Sequence, residues 1–373
     1  MYVAVKGGEA AVENSRRLAA ESRRGPQEIP EIRPEQMAHQ LGLAVDRVMA
    51  EGALYDVTAA VRALKQAQGD IVEAVFLVRA FRTTLRRFGN SKPVNTEEMK
   101  ALRRISGAFK DIPGGQILGA TCDYTHRLIE FEDGPGLPEG PENPREETGR
   151  PVSEDWEPLS RITDMLVRQG LMQPGQGELI GEKTEDLTRQ PLKVPAKRSI
   201  RLQALARGDE GFLLGSAYSL QRGFGLDHHP FLGELRVGFV EVRVTPPELG
   251  FDIKVGELRV TECFMINRSN GTKQEAPGFE NGYGLVFGRN ERKAMSISLL
   301  DRALQNSEKS GDEKYPAQSQ EFILCHSDNV ESSGFVQHLK LPHYVDFQSE
   351  MVSIRNLRKK HRQTRKKNNG ADL

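Results

Sequence analysis

The segment His338-Leu339-Lys340-Leu341-Pro342-His343 holds the densest polar chemistry of the chain, two imidazoles five residues apart. On one helix that spacing turns the rings about 140° away from each other, which suits a shared ion poorly. Pro342 pushes the residue before it toward extended backbone, and in a turn the two rings can converge. Two histidines make half of a tetrahedral zinc site. His326, Asp328, Cys325, a partner chain or water are the open choices for the rest. The competing reading is a pair of satisfied structural histidines.

Other constellations are looser. Asp123-Tyr124-Thr125-His126 sets a carboxylate three residues before an imidazole, and on a helix the two would share a face. His228-His229-Pro230 follows Gly223-Phe224-Gly225; adjacent rings in extended chain point to opposite sides, so at most one of them acts. Arg79, Arg82 and Arg86, at i, i+3 and i+7, present guanidinium forks suited to phosphate, or an ordinary ion-paired face. Lys6-Gly7-Gly8, Pro113-Gly114-Gly115 and Gly282-Tyr283-Gly284 can turn backbone N–H groups toward a phosphate or serve as plain turns. None fits GxxxxGK[ST] or GxGxxG, and GxSxG and HExxH are missing.

The elements that must position these groups follow from periodicity. Helices are expected over residues 9–24, 34–50, 57–68, 70–88, 95–110, 159–170, 200–207, 211–221 and 290–305. Asp70 is the expected N-cap of its helix, and Ala294, Ile297, Leu300 and Leu304 form one apolar face. Alternating or apolar runs predict strands over 234–245, 251–255, 257–266, 284–288 and 321–325. The expected fold is α+β: a mainly helical N-terminal half, then a C-terminal α+β domain with a small, mostly antiparallel sheet. The expected organisation is a helical domain (1–132), a Gly/Pro-rich linker with one short helix (133–198), an α+β domain bearing the histidine site (199–352), and a disordered basic tail (353–373).

Composition bounds the function. The chain has 373 residues with Lys+Arg and Asp+Glu both 52, so it is neither a basic nucleic-acid coat nor an acidic solvating chain. The longest apolar run, 71–78, is far below the ~18 residues of a membrane span. The start of the chain has no long apolar segment followed by a cleavage site. Three scattered cysteines, Cys122, Cys263 and Cys325, without CxxC speak against an iron–sulfur cluster held by this chain and against a disulfide scaffold. The expectation is a cytoplasmic protein with reduced thiols.

Several blocks together carry a resemblance. They are MYVAVKGGE, LAVDRVMAEG, KDIPGGQILG, DYTHRL, RGDEGFLLGSAYSLQRGFG, HPFLGELRVG, PPELGF, TEC, GYGLVFGRNERKAM and HSDNVESSGFVQHLKLPHYVDFQ, in this order from residue 1 to about 350. In that order they resemble the PhnI family, core subunits of the bacterial carbon–phosphorus lyase complex in phosphonate catabolism. The resemblance implies an enzyme subunit that, with companions, displaces adenine from ATP by an alkylphosphonate at the ribose C1′. The product is α-D-ribose 1-methylphosphonate 5-triphosphate. It implies purine nucleosidase behaviour without partners, and assembly with PhnG-, PhnH- and PhnJ-type subunits, with PhnK-type ATPase and PhnL-type subunits as further partners. Radical cleavage, with its iron–sulfur cluster, belongs to the PhnJ type.

The same resemblance makes His338 and His343 ligands of a zinc-like divalent metal at a subunit interface. The catalytic candidates, taken because they lie in these blocks and can titrate or accept protons, are Asp123, His126, Glu210, His229 and Glu234; Arg79, Arg82 and Arg86, from their spacing alone, are the candidates for gripping phosphate. Membrane and nucleic acid are not expected partners. The alternative is a non-catalytic scaffold that lends metal ligands at an interface.

Overall fold

The computed structural model describes residues 8–129, 131, 160–173, 185–226, 228–271 and 276–369. The linker residues 132–159 and 174–184 of the sequence reading lie outside these. Among the described residues the chain forms twelve α-helices and four strands.

The helices α1 (Glu9–Arg24), α2 (Pro34–Gln40), α3 (Gly42–Gly52), α4 (Val57–Gln66) and α5 (Ile71–Thr84) come first. Asp70 caps α5 as expected, its carboxylate accepting from the N–H groups of Val72 and Glu73 at 2.9 and 3.2 Å. The expected helix 34–50 is two helices, because the backbone leaves helical geometry at Leu41 and resumes at Gly42, a poor helix former. Val45, Val48, Met49, Ala60, Val61, Leu64, Val75 and Val78 form the apolar seam of α3, α4 and α5.

The expected helix 95–110 is instead a short turn at Thr96–Glu98 followed by β1 (Lys100–Ile105). Its apolar spacing suits a helix, but backbone pairing with β2 (Phe231–Val244) wins. β3 (Ile253–Ser269) and β4 (Gly278–Phe287) complete an antiparallel sheet in the order β1-β2-β3-β4. The two strands expected over 251–266 are one. Gly256 pairs with Val242 where the register shifts, so the irregularity is a bulge and not a break.

Helices α6 (Ile162–Arg168), α7 (Arg198–Arg207), α8 (Glu210–Gln221) and α9 (Glu291–Ser310) surround the sheet. Ala294, Ile297, Leu300 and Leu304 of α9 join Leu235, Cys263, Met265 and Val286 in the main core. A Cβ at Gly282 or Gly284 would fall on the carbonyl oxygens of Ser298 or Ala294, so these glycines set how closely α9 approaches β4. Residues 320–326, expected to be partly a strand, form helix α10 (Gln320–His326). Ser319 caps it, and a short apolar run fits strand or buried helix equally until a cap decides.

α11 (Asn329–His338) and α12 (Tyr344–Asn369) follow. The basic segment from 353, expected to be disordered, is helical through Asn369; Lys, Arg and Gln are good helix formers and extend the helix begun at Tyr344. The chain divides into two compact units, Arg23–Asn329 and Met1–Ser22 with Val330–Leu373. This differs from the expected split near residues 132 and 199, because β1 pairs with β2 and so ties the early helices and the sheet into one unit. In the second unit no described side chain is buried. The α+β class is as expected: helices plus one small antiparallel sheet.

Candidate functional site

The histidine pair lies in the second unit. His338 ends α11 and His343 immediately precedes α12. The turn between them, containing Pro342, brings the rings together edge to face with centroids 4.8 Å apart. Their Nε2 atoms are 3.1 Å apart. Two Zn–N bonds of ~2.0–2.1 Å at a tetrahedral angle separate the nitrogens by about 3.3 Å, so this spacing suits one shared ion. Nδ1 of His343 lies 2.6 Å from the carbonyl oxygen of Leu341. A carbonyl only accepts, so Nδ1 carries the proton and Nε2 presents its lone pair toward His338. Phe335, Val336, Leu339, Tyr344, Val345 and Phe347 are all exposed around this turn.

No group of three or more His, Cys, Asp or Glu side chains suited to a metal occurs among the described residues. One of the open choices for further ligands is otherwise engaged: Asp328 takes both Arg79 Nη1 contacts, at 2.6 and 2.7 Å. His326 Nδ1 lies 2.8 Å from the Phe322 carbonyl, the same arrangement as in His343.

In the first unit the carboxylate candidates separate. Asp123 lies in a turn, not a helix, so the expected shared face with His126 does not form; His126 is simply exposed. Asp123 accepts from Arg103 Nη2 at 2.6 Å and from Arg127 Nη2 at 3.3 Å. Arg103 also faces Glu291, the first residue of α9, with Nε 3.0 Å from Oε1. Burial raises Glu291 above the usual carboxylate range, Arg103 opposes this, and Asp123 adds to it. Glu210, at the start of α8, pairs with Arg292 at 2.8 Å. Glu210 thus contacts the first turn of α9 directly, and Asp123 is linked to it through Arg103.

Glu234 does not join them. It is fully buried on the opposite face of the sheet from Cys263, accepting from Arg104 Nε at 2.6 Å and from the Ile162 N–H at 3.2 Å. Beside it Glu262 pairs with buried Arg236 and accepts from Thr96 and Tyr283 hydroxyls at 2.7 and 3.0 Å. These are carboxylates fixed by structure. His229 is exposed at the start of β2, its ring edge-on to Phe231 with centroids 5.4 Å apart.

The arginine triplet is not one face. α5 ends at Thr84, so Arg86 lies beyond the helix. Arg79 spends its guanidinium on Asp328, the Glu51 carbonyl (3.0 Å) and the Arg207 carbonyl (3.2 Å). Arg82 donates to the carbonyls of Gly52 and Ala53 at 3.3 and 3.4 Å, and burial followed by the nearby Arg79 lowers its pKa. Two of the three therefore hold α5 against the end of α3.

Sequence reasoning missed Glu291 and a buried hub at Glu51. Glu291 lies inside the GYGLVFGRNERKAM block, but nothing local marks its contact with Asp123. Glu51 Oε1 accepts from Arg47 Nε (2.8 Å) and the Glu210 N–H (3.0 Å), and Oε2 accepts from Asn329 Nδ2 (2.6 Å). Lys293 Nζ, fully buried and without a hydrogen bond, is 3.8 Å from the same carboxylate.

Fold and site define an α+β protein with a convergent histidine pair on one unit and a carboxylate–arginine cluster at a helix start on the other. Residues 1–361 match the family model described as bacterial phosphonate metabolism protein (PhnI). A protein of Rhizobium meliloti (strain 1021), named alpha-D-ribose 1-methylphosphonate 5-triphosphate synthase subunit PhnI, is 54% identical over 97% of this chain and 96% of its own length. The protein of the same name from Escherichia coli (strain K12) is 50% identical over 96% of this chain and 98% of its own length. The chain belongs to the PhnI family of bacterial phosphonate metabolism proteins.

Proposed function

We propose that this chain is a catalytic subunit of a ribose 1-methylphosphonate 5-triphosphate synthase in phosphonate catabolism. Within a complex it exchanges the adenine of ATP for an alkylphosphonate at the ribose C1′. The carrying observation is identity of 54% and 50%, over nearly the whole chain, to two proteins named as subunits of that synthase. Breaking the C1′–N9 bond builds positive charge on the ribose carbon and negative charge on the departing base. It calls for an anionic group near C1′, a proton for the base, and cations for the triphosphate. Around the start of α9, Asp123 and Glu210 offer carboxylates and their arginine partners offer cations.

His338 and His343 would hold a zinc-like divalent ion, with the remaining ligands from a neighbouring subunit. When bound, that ion would supply a fixed positive charge for phosphate or phosphonate oxygens. The expected neighbours are PhnG-, PhnH- and PhnJ-type subunits, with PhnK- and PhnL-type proteins beyond them, in the cytoplasm. No helix among the described residues is long and apolar enough to cross a membrane. A second reading, a scaffold that only lends metal ligands, is favoured by the lack of a self-contained metal cluster among the described residues.

Chromatography for free adenine separates the two readings. The purified chain is incubated with ATP, then the assembled complex with ATP and methylphosphonate. Adenine from the chain alone supports the catalytic reading. Adenine from the complex only, unchanged by Asp123→Asn or Glu210→Gln, leaves this chain a scaffold.

A further inference from the structure

Arg103 bridges two carboxylates in unlike surroundings, Glu291 at the start of α9 and Asp123 in a turn. Asp123, 43% exposed, accepts from two guanidinium groups, Arg103 and Arg127. Glu291, 22% exposed, faces the Nε side of Arg103. That Nε–H is 3.0 Å away but has no aligned acceptor, although the Arg103 side chain is only 2% exposed. Arg103 turns its well-aligned donors instead to Asp123 and the Leu118 carbonyl. One carboxylate is thus held as an anion by good hydrogen bonds. Its neighbour is half-buried with a poorly made pair. Unlike surroundings of this kind assign different roles to two acids in one site.

The rim suits a nucleotide. Arg127, largely exposed, pairs with Asp123; Arg292, also largely exposed, follows Glu291 in the chain, and Arg289 lies two residues before it. Tyr124, next to Asp123, exposes its ring.

We propose that Glu291 is a catalytic proton donor to the departing purine, with Asp123 the carboxylate facing the cationic ribose carbon. This rests on the base-displacement reading above. In the step, the C1′–N9 bond breaks and its electron pair goes to the purine, while Glu291 gives its proton to a ring nitrogen of that base. A phosphonate oxygen then forms the C1′–O bond, and the proton carried in by the phosphonate monoanion restores Glu291. Burial, opposed by Arg103 and aided by the Asp123 charge, shifts Glu291 above the usual carboxylate range, the direction a proton donor needs.

The test uses the assembled complex with methylphosphonate and two nucleotides, GTP and 7-methylguanosine 5′-triphosphate. The methylated base already carries its positive charge and leaves without a proton. Glu291→Gln is expected to slow guanine release from GTP about 100- to 10,000-fold, the usual worth of a general acid. Release of 7-methylguanine should change less than about tenfold, and the alkaline limb of the wild-type pH profile should vanish in the variant. Asp123→Asn should slow both nucleotides alike. Equal slowing of both by Glu291→Gln, or slowing of neither, overturns the assignment. No purine released by the wild-type complex from ATP, GTP or the methylated nucleotide overturns the base-displacement reading itself, and the inference with it.

Discussion

Single residues in this chain divide into those locked by structure and those left with chemistry to do. The histidine pair is in the second group. Replacing His338 or His343 with Ala should lower the metal content of the assembled complex, read by elemental analysis, without unfolding the chain. Unchanged metal stoichiometry would remove the pair from any metal site. Lys293 is in the first group and carries a pH signature. Burial lowers it from 10.5 to about 8, with Glu51 and Glu210 pulling the other way. The unfolded chain binds this proton more tightly than the folded one. Between about pH 8 and 10.5 the unfolded state therefore holds more protons, and the group's contribution to stability rises with pH. Below about 8 its penalty is constant. Urea titrations across this window should show that rise in the wild type and a flatter profile in Lys293→Met; parallel profiles would count against the buried charge.

At the scale of elements, caps and close approaches decide what periodicity leaves open. Asp70→Ala should cost about 1 kcal/mol in thermal or urea unfolding, since the α5 cap bonds are short and local. Gly284→Ala should cost about 3 kcal/mol or more, because the added methyl meets the Ala294 carbonyl and α9 must move off the sheet. A near-neutral Gly284→Ala would mean that α9 has room to spare. These elements also mark what the sequence could reveal. Asp70 and the apolar face of α9 were legible, because caps and helical spacing are local. Lys100–Ile105 was not, since its strand state comes from β2, more than a hundred residues away. The turn that joins His338 to His343 was legible through Pro342. The burial of Glu234 beneath Arg104 was not, for titratable side chains look alike in sequence whether they line a site or pin a sheet. Glu291 stayed hidden for the same reason: its partners come from β1 and a turn near residue 123.

At the scale of the molecule, the two units differ in kind. Arg23–Asn329 has a continuous core, while the other unit exposes Phe335, Val336, Leu339, Tyr344, Val345 and Phe347 around the histidine turn. Apolar side chains crowded on a surface mark an interface. The double variant Phe335→Asp, Phe347→Asp should leave the melting of the Arg23–Asn329 unit near wild type and abolish co-elution with partner subunits on size exclusion. Retained co-elution would place the interface elsewhere.

A unit without a core of its own also bears on how the cell keeps subunit numbers matched. Until its partners arrive, a newly made copy displays uncovered aromatic side chains, the feature that chaperones and proteases take as a sign of damage. Copies made in excess would then be cleared while assembled ones are shielded, and the balance among subunits would be set after translation.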